Sequence, residues 1–153
     1  MLGPPKYGWC HLTVGDFEIG VSYLTDVAVD FLTALANYHP CTPTGVFCDA
    51  ESEGQFYVMF TGYETFVMGY SWLPADSDKY GILEYRIPVE KVALEVYNDV
   101  MSNIRYWVHW DIFEINDLRY RIEAVKVYIK LRVLLRKVRK KFKLDKEAHG
   151  KSN

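Results

Sequence analysis

Alternating apolar and polar residues predict a strand close to the start of the chain. In DFEIGVSYL, apolar side chains occupy every second position from Phe17 to Tyr23, the spacing that places them on one face of a sheet. We expect a helix next, because Asp26 suits an N-cap and Pro40 disfavours helical geometry in the residue before it. The apolar face of this helix consists of Ala28, Phe31, Leu32, Leu35 and Tyr38.

A run of strands is predicted further along the chain. Apolar, strand-favouring segments occupy residues 45–50, 55–60, 63–72 and 82–87, and polar or glycine-containing turns separate them. The segment QFYVMF is apolar at both alternating positions, which is typical of a central strand. In the next strand, one side carries Phe66, Met68, Tyr70 and Trp72.

A second helix is predicted after Pro88, since proline suits the first turn of a helix, where a missing N–H costs nothing. Its apolar stripe has the clearest helical spacing in the chain, formed by Val89, Val92, Val96, Val100, Ile104 and Trp107.

The order of these elements predicts an α+β fold. We expect a mostly antiparallel sheet of four to five strands, two packed helices and a long basic C-terminal helix. The predicted organisation is a flexible arm at 1–8, an acidic α+β domain at 9–114, a basic amphipathic helix at 115–144 and a disordered tail at 145–153.

The segment from residue 115 to 143 has two competing periods. Residues 125–133 alternate as a strand would, but the length of the segment and its Leu, Arg and Lys content favour a helix. We expect its first half to dock on the domain through one stripe and its second half to present another. The first stripe is Ile115, Leu118, Ile122, Val125, Ile129 and Val133, and the second is Val127, Leu131, Leu134, Leu135, Val138 and Phe142.

Charge divides the chain into two parts. Residues 1–118 contain 17 Asp and Glu against five Lys and Arg, a formal charge of −12, whereas residues 119–153 have a charge of +10. A basic helix can fold back on the acidic domain, lie on an anionic membrane, bind phosphates or fill a groove on a protein. The basic surface is predicted at Arg132, Arg136, Lys137, Arg139, Lys140 and Lys143.

No motif for catalysis or metal binding stands out. Acids in DAESEG match the start of a calcium loop, but its last ligand position is Phe60, so we interpret the segment as a polar turn of negative potential. The spacing of Cys and His fixes no zinc site, and no nucleotide-binding or nucleophile motif is present. For His109, between two tryptophans, a structural role at a helix end is favoured. We therefore predict no enzyme, cofactor or metal.

Acidic and aromatic residues are the candidates for protein binding, because Tyr and Trp anchor many interfaces when they are exposed. The chain opens without a secretion-signal pattern, and three cysteines favour a reducing compartment, hence a cytoplasmic location. The candidate partner-binding residues are Asp49, Glu51, Glu53, Tyr70, Trp72, Trp107 and Trp110.

Three segments carry a resemblance to a known group. DFEIGVSYLTDVAVDFLTAL, FCDAE and WVHWD resemble small bacterial immunity-type proteins of polymorphic toxin systems, over residues 9–111. The resemblance implies a non-enzymatic, cytosolic protein-binding module whose acidic and aromatic surface blocks a toxin, with the basic helix supporting oligomerisation or contacting another part of the partner. The alternative is an adaptor that binds nucleic acid or an anionic membrane surface through residues 126–143.

Overall fold

The computed structural model describes residues 1–51, 54–70, 82–110 and 118–144. Two antiparallel sheets, of two and four strands, combine with helices, which confirms the predicted α+β class. The elements are β1 (Trp9–Val14), β2 (Phe17–Ser22), α1 (Val27–Asn37), β3 (Thr44–Asp49), β4 (Gln55–Thr61), β5 (Glu64–Tyr70), β6 (Ile82–Pro88), α2 (Val89–Ser102), α3 (Ile104–Trp107) and α4 (Leu118–Phe142).

The first hairpin contains one strand that the sequence analysis did not predict. β1 pairs with the predicted strand β2, from Trp9 opposite Ser22 to Val14 opposite Phe17. Gly15 in the connecting turn has a φ of 60°, a left-handed conformation that glycine adopts without steric cost. The alternation in WCHLTV, with Cys10, Leu12 and Val14 buried, is the period-two signal that could have identified β1.

The N-terminal arm has no helix or strand of its own, but it is attached to the domain. The amide of Gly3 donates to the carbonyl of His11 at 2.6 Å, and the amide of Leu2 donates to the carboxylate of Asp99 at 2.9 Å. Leu2 is itself part of the hydrophobic core. The prediction of a flexible arm is therefore corrected, because apolar burial and hydrogen bonds to β1 and α2 hold it in place.

The second sheet has the order β3-β4-β5-β6, with all neighbours antiparallel. β4 is a central strand, as predicted, but only one of its faces is buried: Phe56, Val58 and Phe60 face the core, whereas Tyr57 is 37% exposed. Helix α1 covers the buried face, where the rings of Phe31 and Phe60 lie 6.3 Å apart.

Helices α2 and α3 follow the predicted stripe with one interruption. The amide of Val89, the first residue of α2, donates to the carbonyl of Tyr63 at 3.0 Å, which joins the helix to the turn between β4 and β5. Asn103 separates α2 from α3 and caps α2, because its side-chain amide donates to the carbonyl of Asp99 at 3.0 Å. The valines of the stripe, at 89, 92, 96 and 100, are buried.

Residues 118–142 form one continuous helix, so the strand alternative at 125–133 is wrong. The predicted docking is also wrong, because the stripes exchange roles. The second stripe packs against the domain, with Leu131, Leu135 and Val138 buried and the ring of Phe142 stacked on that of Tyr38, the residue that follows α1, with centroids 6.0 Å apart. α4 contacts α1 and α2, which in turn contact the sheet. The layers are therefore sheet, then α1 with α2, then α4.

Candidate functional site

The carboxylate of Asp49 organises the turn between β3 and β4. It accepts hydrogen bonds from the amide of Glu51 at 2.7 Å and from the side-chain amide of Gln55 at 2.9 Å. Asp49 is buried, whereas Glu51 is exposed with a φ of 52°. A carboxylate engaged in this way stabilises the turn, so Asp49 is corrected from a surface contact to a structural residue. Glu51 is an accessible acid, and Glu53 lies outside the described residues.

Two of the predicted aromatic anchors are part of the core. Trp107 and Trp110 are 2% and 4% exposed, and their ring centroids lie 5.1 Å apart. The indole N–H of Trp110 donates to the carbonyl of Thr25 at 2.8 Å, which ties the end of α3 to the start of α1. Neither side chain offers surface to a partner, and this part of the prediction is corrected. Trp107 already belonged to the apolar stripe of the second helix, which was the signal for burial.

The other two predicted anchors lie at the far end of β5. Tyr70 is the last residue of that strand, but its side chain, like the whole of Trp72, falls outside the described part of the chain.

The face of the second sheet that points away from α1 is lined by large apolar side chains. We call it the open face and define it by five residues, each half-buried or exposed: Phe47, Tyr57, Met59, Phe66 and Met68. Cross-strand pairing puts them side by side, because Tyr57 lies opposite both Phe47 and Met68, and Met59 lies opposite Phe66. The rings of Phe47 and Tyr57 are 5.2 Å apart. The result is a continuous apolar surface across three strands.

Acids border the open face at both ends. Glu51 is exposed in the β3–β4 turn, and Glu64 is half-buried at the start of β5. Gly45 helps to shape the surface, because the thioether of Met59 occupies the space that a β-carbon at residue 45 would need. The alternation in β5 predicted part of this face. Because QFYVMF is apolar at both alternating positions, Tyr57 and Met59 were predicted to be buried in a central strand.

Helix α4 presents a different surface on the opposite side of the molecule. Four aliphatic side chains, spaced three or four residues apart, form what we call the outer stripe, and they are 44–57% exposed: Ile122, Val125, Ile129 and Val133. Beyond Val133, the same side of the helix continues with Arg136 and Lys140, since these residues follow at helical spacing. Both are exposed, as is Lys143 just after the end of α4.

The other predicted basic residues lie along the flanks of α4. Lys137 and Arg139 are exposed, and a guanidinium nitrogen of half-buried Arg132 lies 3.5 Å from the sulfur of Met101 in α2. Within α4, the ammonium of Lys126 pairs with Glu123 at 2.6 Å. The helix thus docks on its own domain through apolar packing, while much of its charge faces outward.

A shallow cavity of about 280 Å³, widely open to solvent, lies beside the outer stripe. Its walls come from α3 with the turn after it, and from α4: Arg105, Val108, His109, Ala124, Val125 and Tyr128. His109 also joins the two helices, because its ring stacks on Tyr120 with centroids 5.6 Å apart and its Nδ1 is hydrogen-bonded to the Tyr120 hydroxyl. These contacts agree with the structural interpretation of His109.

Two of the three cysteines are poor nucleophiles. Burial raises the pKa of the Cys10 thiol to about 12, and burial, followed by the proximity of Cys10, raises the pKa of Cys48 well above its ordinary value. Both thiols therefore remain protonated at neutral pH, the reverse of what nucleophilic catalysis requires. Cys41 is exposed, and its amide donates to Nδ1 of His39 at 3.2 Å.

Within the described ranges, no three His, Cys, Asp or Glu side chains come together as metal ligands. Of the helices that the structure describes, none has the length and apolar character needed to cross a membrane. No protein-family model, curated protein or solved structure matches this chain. The chain's own surfaces must therefore support any assignment of function.

Proposed function

We propose that this chain is a non-enzymatic protein-binding module, and that its partner covers the open face of the second sheet. The observation that supports this proposal is the row of Phe, Tyr and Met side chains across β3, β4 and β5, with Tyr57 at its centre and 37% exposed. A contiguous exposed apolar patch is costly in water and marks interaction sites in many proteins. Aromatic residues and Met are also enriched at interfaces.

The acids at the two ends of this face indicate the charge of the partner. Glu51 and Glu64 would meet basic groups at the rim of an apolar contact, where opposite charges speed association and fix orientation. The net charge of −12 over residues 1–118 would attract a basic partner over a longer range.

A nuclease toxin is one basic partner of this kind, since its cleft must attract nucleic acid. The resemblance of residues 9–111 to immunity-type proteins makes inhibition of a toxin the specific form of the proposal. In that function the open face and Glu51 would contact and block the toxin. Asp49, Trp107 and Trp110, which the sequence predicted as contacts, are buried and are not part of this proposed surface.

A pull-down with matched variants tests the proposal. Tagged wild-type chain, a Phe47→Asp/Tyr57→Asp variant and an Arg136→Glu/Lys140→Glu control are incubated with cytosol of the source cells, with and without nuclease. We expect one stoichiometric protein on the wild type and on the control, unaffected by nuclease and lost from the open-face variant. The captured protein should then be inhibited by the purified chain at a 1:1 ratio.

Two results would contradict the proposal: a partner that remains bound to the open-face variant, or capture of nucleic acid alone. Circular dichroism and thermal melting of each variant show whether its fold is intact. Because Phe47 and Tyr57 lie directly opposite each other, the two Asp side chains repel and should lower the melting temperature, so binding is compared at a temperature where every variant is folded.

A further inference from the structure

A second interaction surface lies along α4, on the opposite side of the molecule from the open face. The outer stripe extends about 17 Å along the helix, from Ile122 to Val133, at about 1.5 Å per residue. Its four aliphatic side chains are about half exposed, although the helix already buries its other stripe against α1 and α2. A helix with two apolar stripes, one of them in solvent, has the surface of an interaction element.

The cavity between α3 and α4 adds a concave part to this ridge. Val125 belongs both to the outer stripe and to the cavity wall, and Tyr128 borders the cavity beside it. Val108 and Ala124, both buried, form the apolar floor. A side chain from a partner can enter this cavity while its neighbours pack along the stripe, which is how an amphipathic helix binds in a groove.

Positive charge lines both sides of the stripe. Arg105 and Arg121 are exposed on the side of the cavity. On the other side Lys126 and Lys130 are exposed, and Lys126 already pairs with exposed Glu123, so the net charge of this second flank is smaller. Charge complementarity therefore requires acids on both flanks of the apolar face of the occupant.

An aliphatic stripe flanked by cations disfavours three other ligands of a basic helix: nucleic acid, a second copy of α4 and a lipid bilayer. Nucleic acid would place phosphates along the centre of the surface, where this helix has aliphatic side chains instead of cations. A second copy of α4 would bring like charges together along both flanks. A bilayer could receive the stripe, but its smooth surface would leave the cavity unfilled.

We infer that the groove formed by α3 and α4 binds an acidic amphipathic helix of a protein partner, with one large apolar side chain of that helix in the cavity beside Val125. The flanking carboxylates of this helix contact Arg105 and Arg121 on one side and Lys126 and Lys130 on the other. This site is separate from the open face, and the inference does not depend on the function proposed for that face.

A display library of helical peptides tests the inference. In each peptide, positions spaced three and four residues apart are randomised among Leu, Ile and Phe. The flanking positions are randomised among Glu, Gln and Lys in equal proportion. Selection on the full chain should enrich Glu at the flanks. A selected peptide should bind at least tenfold more weakly to Val125→Asp, and equally well to the control variant Tyr57→Asp on the open face.

Charge-reversal variants distinguish specific recognition of the peptide from nonspecific hydrophobic binding. The Arg105→Glu/Arg121→Glu variant should lose affinity for the selected peptide and gain affinity for the same peptide with Lys in place of Glu. Enrichment of Lys or Gln, or the absence of any selected peptide, would overturn the inference.

Three further experiments with the full chain test a membrane, nucleic acid and a second copy of the chain as ligands of the outer stripe. They are co-sedimentation with vesicles containing phosphatidylserine, binding of a labelled DNA duplex, and sedimentation velocity across a range of protein concentration. We expect the chain to remain unbound and monomeric in each. Vesicle binding, DNA binding or a dimer that is lost on substitution Val125→Asp would assign the stripe to that occupant instead and overturn the inference.

Discussion

The open face of the sheet and the outer stripe of α4 are both apolar, but they differ in shape, composition and charge. The open face is broad and consists of aromatic and Met side chains on three strands, with acids at its ends. The outer stripe is a narrow ridge of Ile and Val, with cations on both flanks and a cavity at one side.

The comparison shows how one small domain can present two sites of opposite charge. Among the described residues, exposed Lys and Arg side chains lie along α4, which packs on α1 and α2 as an outer layer, whereas Glu51 and Glu64 lie at the ends of the open face. Apolar packing holds α4 there, so its charges stay available to a partner. Each surface should therefore select a partner of different charge.

The largest expected effect is on stability, and it distinguishes the buried stripe of α4 from its outer stripe. Leu131→Ala removes a buried side chain from the contact with the domain and should cost about 2–5 kcal/mol of unfolding free energy. Ile129→Ala, two residues away on the outer stripe, should change it by less than about 0.5 kcal/mol. Urea unfolding measures both, and equal costs would contradict the assignment of the stripes.

The buried side of the first hairpin, β1–β2, in contrast to the open face of the second sheet, should respond to alkaline pH. The folded state raises the pKa of Cys10 from 9.0 to about 12, so stability is fully present below pH 9 and is lost as the pH rises towards 12. The loss could reach about 4 kcal/mol, at about 1.36 kcal/mol per pKa unit. Urea unfolding from pH 8 to 11 should show a smaller loss for Cys10→Val than for the wild type, and parallel pH curves would contradict the expectation.

A smaller effect should distinguish two acids beside the open face. Asp49→Ala leaves the amide of Glu51 and the side-chain amide of Gln55 without their acceptor and should cost about 1–3 kcal/mol. Glu51→Ala should be nearly neutral for stability, because its side chain is exposed. Partner binding should show the opposite ranking when each variant is measured well below its melting temperature. If Glu51→Ala were the more destabilising change, the role assigned to Asp49 would be wrong.

The smallest effect on stability is expected at Gly45. An added β-carbon would displace the Met59 thioether, and a flexible methionine can move at a cost of less than about 1 kcal/mol. Gly45→Ala should nevertheless weaken the open-face partner, because Met59 moves on the surface that the partner covers. Binding of an acidic helical peptide to α4 should be unchanged. A titration of each ligand against the same variant compares the two surfaces directly.

Much of the element order could be predicted from local pattern. The period of two identified β2 to β6 closely, and the spacing of valines from 89 to 100 identified α2, because both patterns are properties of adjacent residues. β1 was missed although Cys10, Leu12 and Val14 show the same alternation. The prediction of no regular structure up to Tyr7 was sound, but burial of Leu2 could not be inferred from a segment rich in Gly and Pro.

The candidate sites were less predictable than the elements. An alternating segment such as QFYVMF has two faces, and both are apolar, so the pattern cannot tell which face the rest of the chain covers. In the structure, α1 covers the side of Phe56 and Phe60, and Tyr57 remains exposed. Trp107 and Trp110 were likewise predicted as surface anchors, whereas both are buried in the structure and the indole of Trp110 donates to the carbonyl of Thr25.

The sequence by itself determined the α+β class, most element positions and the separation of charge between the acidic domain and the basic helix. These depend on residue type and spacing along the chain, which are local properties. Only the tertiary structure decided which stripe of α4 is buried and which is open, because periodicity creates both faces equally. The choice depends on the surface that α1 and α2 offer. The wider face of Leu131, Leu134, Leu135 and Val138 covers that surface, while Ile122, Val125, Ile129 and Val133 remain exposed.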